Sequence, residues 1–280
     1  MPRPVRTGAF ARLGTMPGKK IRLGGMALPN GVLVHGPTAW ACAVRLPDGE
    51  LRVASDRKTF RSANVSNPVL RGPAKLAEVF SLLPRVRRAL PEARLPFERP
   101  GVLASMVASA VGVRLIRGDD RLAPAAQELA SGLLSVAPAV LALRGGELAA
   151  YHGAEHVSIG SYEHGEPRPR EHERCGTHLV GPLVVTSAIG NMLASRVPAH
   201  VRAPARLAAS VGAVAASTEL FGWMTRNPRN PLARALSRPG HAFQSRLATR
   251  EPTPEQLEVA EAALRACLAL EEDDGGRDRA

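Results

Sequence analysis

Aromatic side chains are scarce in this chain: Phe, Trp and Tyr make up only 4% of its 280 residues. Nucleic-acid platforms stack bases on aromatics set among basic residues, and the Lys and Arg clusters here carry no such interleaving. No nucleic-acid partner is therefore expected, although 37 Lys plus Arg against 25 Asp plus Glu give a net charge of +12. Cysteine is scarce as well. Cys42, Cys175 and Cys267 are too few and too scattered for a disulfide framework, which leaves a metal or catalytic role open to one of them. The first 22 residues lack the apolar core of a secretory signal, and residues 1–20 read as a basic disordered leader. What the chain has in quantity is small apolar residues: 45% of it is hydrophobic, which excludes disorder throughout.

Residues 21–60 read as a small β-rich unit. An apolar run over 31–35 and an alternating one over 40–46 precede Pro47-Asp-Gly49, a strong turn signal, and a further strand-like run over 51–54. Residues 69–90 carry helical periodicity, with Pro84 expected to kink or break it. Four apolar stretches follow, over 101–113, 129–143, 176–195 and 207–225. The third holds twenty residues without Lys, Arg, Asp or Glu, which is the length a helix needs to cross a bilayer. All four are rich in Ala, Gly and Ser, which suits close helix packing in a membrane and equally a soluble Ala-rich bundle. Near the end, Thr253-Pro-Glu-Gln256 has the form of a capping box with proline at the first helical position. Leu257, Ala260, Leu264, Cys267 and Leu268 then form the stripe of an amphipathic helix. Cys267 reads as a buried thiol, and residues 271–280 read as a disordered tail.

The chemistry-bearing stretch is Tyr151-His-Gly-Ala-Glu-His156. His152 and His156 stand four apart, so a helix puts both imidazoles on one face, where they can bracket one ion. With Glu155 before the second histidine the order is H-x-x-E-H, the reverse of the H-E-x-x-H zinc pattern. In such patterns the histidines bind the metal and the glutamate handles a proton. Alone this pattern is weak, and a helical His pair is more often plain structure. His172 and Cys175 add an imidazole and a thiolate within twenty residues, a donor set that suits zinc. Four protein ligands would close the site; three would leave a position for chemistry. Glu163, seven residues beyond His156, lies too far along a helix to share the ion. Glu219, the only charge in its apolar stretch, is either a further ligand or the partner of an arginine.

Taken together, these motifs resemble the YqhQ-like family, a bacterial and chloroplast family of unknown function described as predicted metal-dependent membrane enzymes. The resemblance rests on Tyr151-His-Gly-Ala-Glu-His156, Tyr162-Glu163, His172-x-Arg-Cys-Gly-Thr177, Thr249-Arg-Glu-Pro252 and Glu258-Val-Ala260. Gly24-Gly25, Gly31-Val32, Gly36-Pro37 and Ala43-Val-Arg-x-Pro-Asp-Gly49 extend it to residues 22–270. The chain departs from the family at Met26 and Asn30, where Gln and Glu are usual, at Val157 in place of Lys, and at His178 in place of a small residue. The resemblance implies several membrane-spanning helices around the histidine motif.

The expected fold is therefore mainly α: a multi-pass membrane helical bundle with a small N-terminal β unit and a C-terminal amphipathic helix. Residues 61–225 form the membrane-embedded domain with the His/Cys motif, and 226–270 a cytoplasmic segment with the terminal helix. Both ends would stay in the cytoplasm under the positive-inside tendency, which implies an even number of crossings and membrane lipid as a partner. The expected activity is that of a metal-dependent hydrolase, a peptidase among the options. Glu155 would be the catalytic base and His152, His156, His172, Cys175 and Glu219 the ligands of a divalent metal, zinc. The alternative is a non-catalytic assembly or scaffold protein whose His/Cys cluster is structural.

Overall fold

The computed structural model describes residues 20–119, 121–143, 146–172 and 174–277. Most of the expected leader lies outside them. Four strands form an antiparallel meander in the order β1 (Gly24–Leu28), β2 (Gly31–His35), β3 (Ala39–Arg45) and β4 (Leu51–Arg57). Leu28 pairs with Gly31 across the two-residue turn Pro29-Asn30, and Asn30 turns outward to hold the 92–94 loop, donating to the Glu92 carbonyl and accepting from the Arg94 N–H.

Strand alternation sorts the core into two layers. Val32, Val34, Ala41 and Ala43 face Tyr151, Ala154, Val259, Ala263, Leu264 and Cys267, the inner sides of α4 (Glu147–His164) and α8 (Pro254–Arg277). On the other face Leu33, Trp40, Cys42 and Val44 meet Leu82, Val86 and Leu90 of α1 (Pro68–Ala89) and the loop beyond it. The first and last segments of the chain thus share one core. Burial pushes the Cys42 and Cys267 thiols up to about 12, so both are inert apolar groups.

Two expectations need correction. Pro84 does not end α1, which runs through it to Ala89; burial of Leu82, Leu83 and Val86 against the sheet outweighs the lost backbone bond. The tail expected from residue 271 is helical to Arg277. The Glu271 carboxylate anchors this last stretch by accepting from the Thr38 and Ala39 N–H groups and the Thr38 hydroxyl.

The four apolar stretches form α2 (Pro100–Gly118), α3 (Pro124–Leu143), α5 (Val180–Ser195, with a 3-10 lead-in from Gly176) and α6 (Arg202–Arg226). These four segments are long and apolar enough to cross a membrane. They pair as α2 with α3 and α5 with α6, joined through α3 and α5. Small residues permit the approach: a Cβ at Gly190 would stand 3.1 Å from that of Ala209. The buried Glu128 carboxylate is matched, accepting from Arg117 at 2.8 Å and from Asn191 at 3.4 Å. Large apolar side chains point outward instead, among them Leu115, Leu133 and Leu207. Helix α7 (Pro231–Phe243) and a π-turn over Gln244–Ala248 return the chain to the sheet layer.

Candidate metal centre

Helix α4 begins after Gly146, whose positive φ no side chain would tolerate easily, and ends at Gly165 in the same left-handed region. Between them His152 and His156 share a face, with ring centroids 4.3 Å apart. Each imidazole is oriented from behind. His152 Nδ1 donates to the Ala248 carbonyl at 2.8 Å, at the end of the π-turn, and His156 Nδ1 donates to the Arg170 carbonyl at 2.6 Å. Both Nε2 atoms are thereby left as lone pairs, the tautomer a metal ligand needs. Burial also holds His156 below the usual imidazole range, against the pull of Cys175 toward the charged form.

Cys175 completes the group. Its Sγ stands 3.4 Å from His152 Nε2, close to the roughly 3.6 Å that separates a nitrogen and a sulfur bound to one tetrahedral zinc. One donor atom each from His152, His156 and Cys175 lies within 4.8 Å of the others. The donor set, its tautomers and its spacing fit a divalent ion. Cys175 is placed by a loop that Gln244 clamps: this fully buried amide accepts from the His172 N–H and donates to the His172 carbonyl and the Thr177 hydroxyl. Gly153 lets the 248–252 segment lie on α4, because a Cβ there would meet the Arg250 carbonyl.

The remaining expected ligands are engaged elsewhere. His172 Nε2 stands 3.3 Å from a Glu163 oxygen, while its Nδ1 accepts from the Arg174 N–H at 3.2 Å. Both nitrogens are in use, although the ring lies 5.5 Å from that of His156. Burial alone would raise the Glu163 carboxyl, but the His172 bond and the adjoining Arg174 guanidinium hold it below its ordinary value. Glu219 is half-exposed and accepts from Arg71 of α1 at 2.6 Å, the arginine partner that the sequence left open. His178 donates to the Ser237 carbonyl and packs on Gly240, where a Cβ would collide with it.

Glu155 lies between the histidines in the chain but turns to the β1 side, packed on the bare Cα of Gly25, where any Cβ would collide with its carboxyl. It is buried, and its Oε2 has no hydrogen-bond partner. Burial pushes its carboxyl up, the neighbouring His152 and His172 opposing. Glu155, His152, His156 and Cys175 line one cavity of about 380 Å3, together with Gly24, Gly25, Met26 and His35 from the sheet and Arg174 and Thr177 from the ligand loop. Sequence reasoning passed over Gln244, Gly25 and His35. Gly25 had a signal in the glycine pair; Gln244 and His35 had none at the level of spacing.

Residues 147–270 match the model of a family described as a protein of unknown function (DUF1385). This stretch, which holds the whole donor set, is thus YqhQ-like and of a family without assigned activity, as its motifs imply. The chain is 30% identical over 129 residues to the uncharacterized protein YqhQ of Bacillus subtilis (strain 168), covering 43% of this chain and 40% of that relative. No solved structure matches.

Proposed function

We propose that this chain is a membrane-associated, metal-dependent hydrolase, with His152, His156 and Cys175 holding a divalent ion, zinc by donor chemistry, and Glu155 handling the proton. The observation that carries the reading is the convergence of two Nε2 lone pairs and a thiol, each imidazole fixed by a backbone carbonyl, beside a buried carboxyl with a vacant oxygen. Three donors rather than four favour an open site over the closed site of a scaffold. When bound, such an ion supplies Lewis-acid polarisation of a carbonyl or phosphoryl oxygen. The chain's own part is positional. Glu155 is held in a desolvated wall where its raised proton affinity suits general acid–base work, and Arg174 with His172 fixes Glu163 away from the ligands. The cavity is lined by Leu143 at the end of α3 and by Gly176 and Thr177 at the start of the α5 segment. Two apolar segments therefore end at it, which suits a substrate at a membrane boundary.

The test is elemental analysis of the detergent-purified protein. About one zinc per chain is expected, lost in His152→Ala, His156→Ala and Cys175→Ala but kept in His172→Ala and Glu219→Gln. Absence of metal from every preparation would sink the reading. It would then favour a second one, in which the Cys175 thiol, 3.4 Å from the His152 lone pair and at a helix start, is itself the nucleophile.

A further inference from the structure

His35 of β2 lines the same cavity as the donor set. Charge holds its ring from the opposite side. The Lys58 ammonium stands 2.9 Å from His35 Nδ1. Lys58 also pairs with Glu78 of α1, whose second oxygen accepts from the Ser62 N–H at 2.6 Å. Lys58 and Glu78 are both buried. An ammonium group has three donors and no acceptor, so the Nδ1 that faces it carries a lone pair. The single proton of the neutral ring therefore sits on Nε2. A second proton on Nδ1 would set an N–H against a buried cation, and burial together with the Lys58 charge holds His35 down at about 4. Nε2 lies over the bare Cα of Gly24, where a Cβ would stand only 2.6 Å from it. Glycine at this position is what keeps a side chain off that edge of the ring, and both residues line the cavity.

We propose that His35 is a substrate-binding residue: a neutral Nε2–H donor, locked in one tautomer by the Lys58–Glu78 pair, that takes an anionic oxygen of the molecule entering the cavity. The surroundings suit an anion. Arg174 lines this cavity, and an adjoining cavity of about 290 Å3 that shares His172 and Arg174 adds Lys20, Arg22 and Arg168 against Glu163 and Glu171. A carboxylate and a phosphate present the same chemistry to one N–H donor. The assignment rests on the hydrolase reading for what becomes of the ligand, but not for its binding. Lys58 and Glu78 are positioning residues, acting only through His35.

The experiment uses the full chain labelled with 15N-histidine, in detergent, carrying His156→Ala so that a bound ion does not recruit the anion. Sodium phosphate and sodium acetate are titrated separately. The His35 ring is expected as the Nε2–H tautomer from pH 5.5 to 8, with a saturable shift of its Nε2 proton; the anion that produces it names the substrate class. Adding Lys58→Met with Glu78→Gln removes both charges together, and is expected to mix the tautomers and weaken the anion by roughly tenfold. An Nδ1–H tautomer, or no shift with either anion, overturns the proposal even if the double substitution fails to fold. Affinity and tautomer unchanged in a folded double variant overturn the positioning role. Zinc content of the unsubstituted chain is read in parallel: its absence sinks the hydrolase reading while leaving the His35 result to stand or fall alone.

Discussion

Glu155 shows what the residue scale decides. Its carboxyl is buried against Gly25 with an unpaired oxygen, so Glu155→Gln keeps the shape and removes the titrating proton. Metal content is expected to persist in that variant and any hydrolytic turnover found for the wild type to fall by 10²–10⁴-fold, roughly the worth of one positioned acid–base group. Turnover that survives with metal in place would end the assignment. His35 gives a second prediction, on stability. Its folded value of about 4 lies below the ordinary 6.5, so between those pH values the unfolded chain binds more protons. The contribution is complete above pH 6.5 and is lost as pH falls toward 4. The gap is worth at most ~3 kcal/mol, and His35→Phe should flatten the denaturation midpoint across that window. The pair His152 and His156 was legible in the sequence because four-residue spacing has one meaning on a helix. The choice between His172 and Cys175 was not, because the two sit three apart in a loop, where spacing fixes no direction. Glu219 was legible as either a ligand or the partner of an arginine, but the choice, and which arginine, were not, since Arg71 lies 148 residues away.

At the scale of elements, local rules succeeded where the signal was local. The capping box at Thr253 forms as read: the Thr253 N–H donates to the Gln256 side chain and the Gln256 N–H to the Thr253 hydroxyl. Thr253→Ala should cost about 1 kcal/mol of stability in a denaturant titration. Strand β1 was missed because Gly24 and Gly25 depress strand propensity. Its pairing with β2 and the contact of Gly25 with Glu155 supply what propensity withholds. The π-turn over Gln244–Ala248 is likewise set by tertiary partners. Gln244 pairs with both backbone groups of His172; the carbonyl also accepts from the Cys175 N–H, so Gln244→Leu strands the His172 N–H. A loss of about 1–3 kcal/mol is expected for the group left unpaired, and the Cys175 loop loosens with it. Calorimetry should show the lower midpoint, and chelator competition a weaker metal affinity; tight metal binding in a folded Gln244→Leu protein would show that the clamp does not place Cys175.

For the molecule as a whole, the open question is the solvent around α2, α3, α5 and α6. In water a helix group hides its large apolar side chains and shows most of its charges. The sheet layer of this protein hides its largest ones, Trp40, Leu33 and Leu82 among them, with the Lys58–Glu78 pair and Glu155 among its buried charges. The four apolar helices invert that rule, with Leu133 70% exposed and Leu115 68% while Glu128 and Ser131 are inside. The composition pointed both ways because Ala and Gly are cheap in either solvent; the outward placement of leucines is what the sequence alone could not supply. Leu133 lies near the middle of α3, so Leu133→Arg separates the two environments. Facing water, an exposed substitution of this kind changes stability by less than about 0.5 kcal/mol. Facing lipid at the centre of a span, it costs about 2.5–3.5 kcal/mol on an insertion scale. Leu76, 40% exposed on α1 outside the apolar segments, is the matched control. The wild type is expected to stay in the membrane pellet after alkaline carbonate, Leu133→Arg to lose most of its membrane-integrated, folded yield, and Leu76→Arg to behave as wild type. A wild type released into the supernatant, with Leu133→Arg as stable as Leu76→Arg, would make the four helices a soluble bundle whose outward leucines await a protein partner.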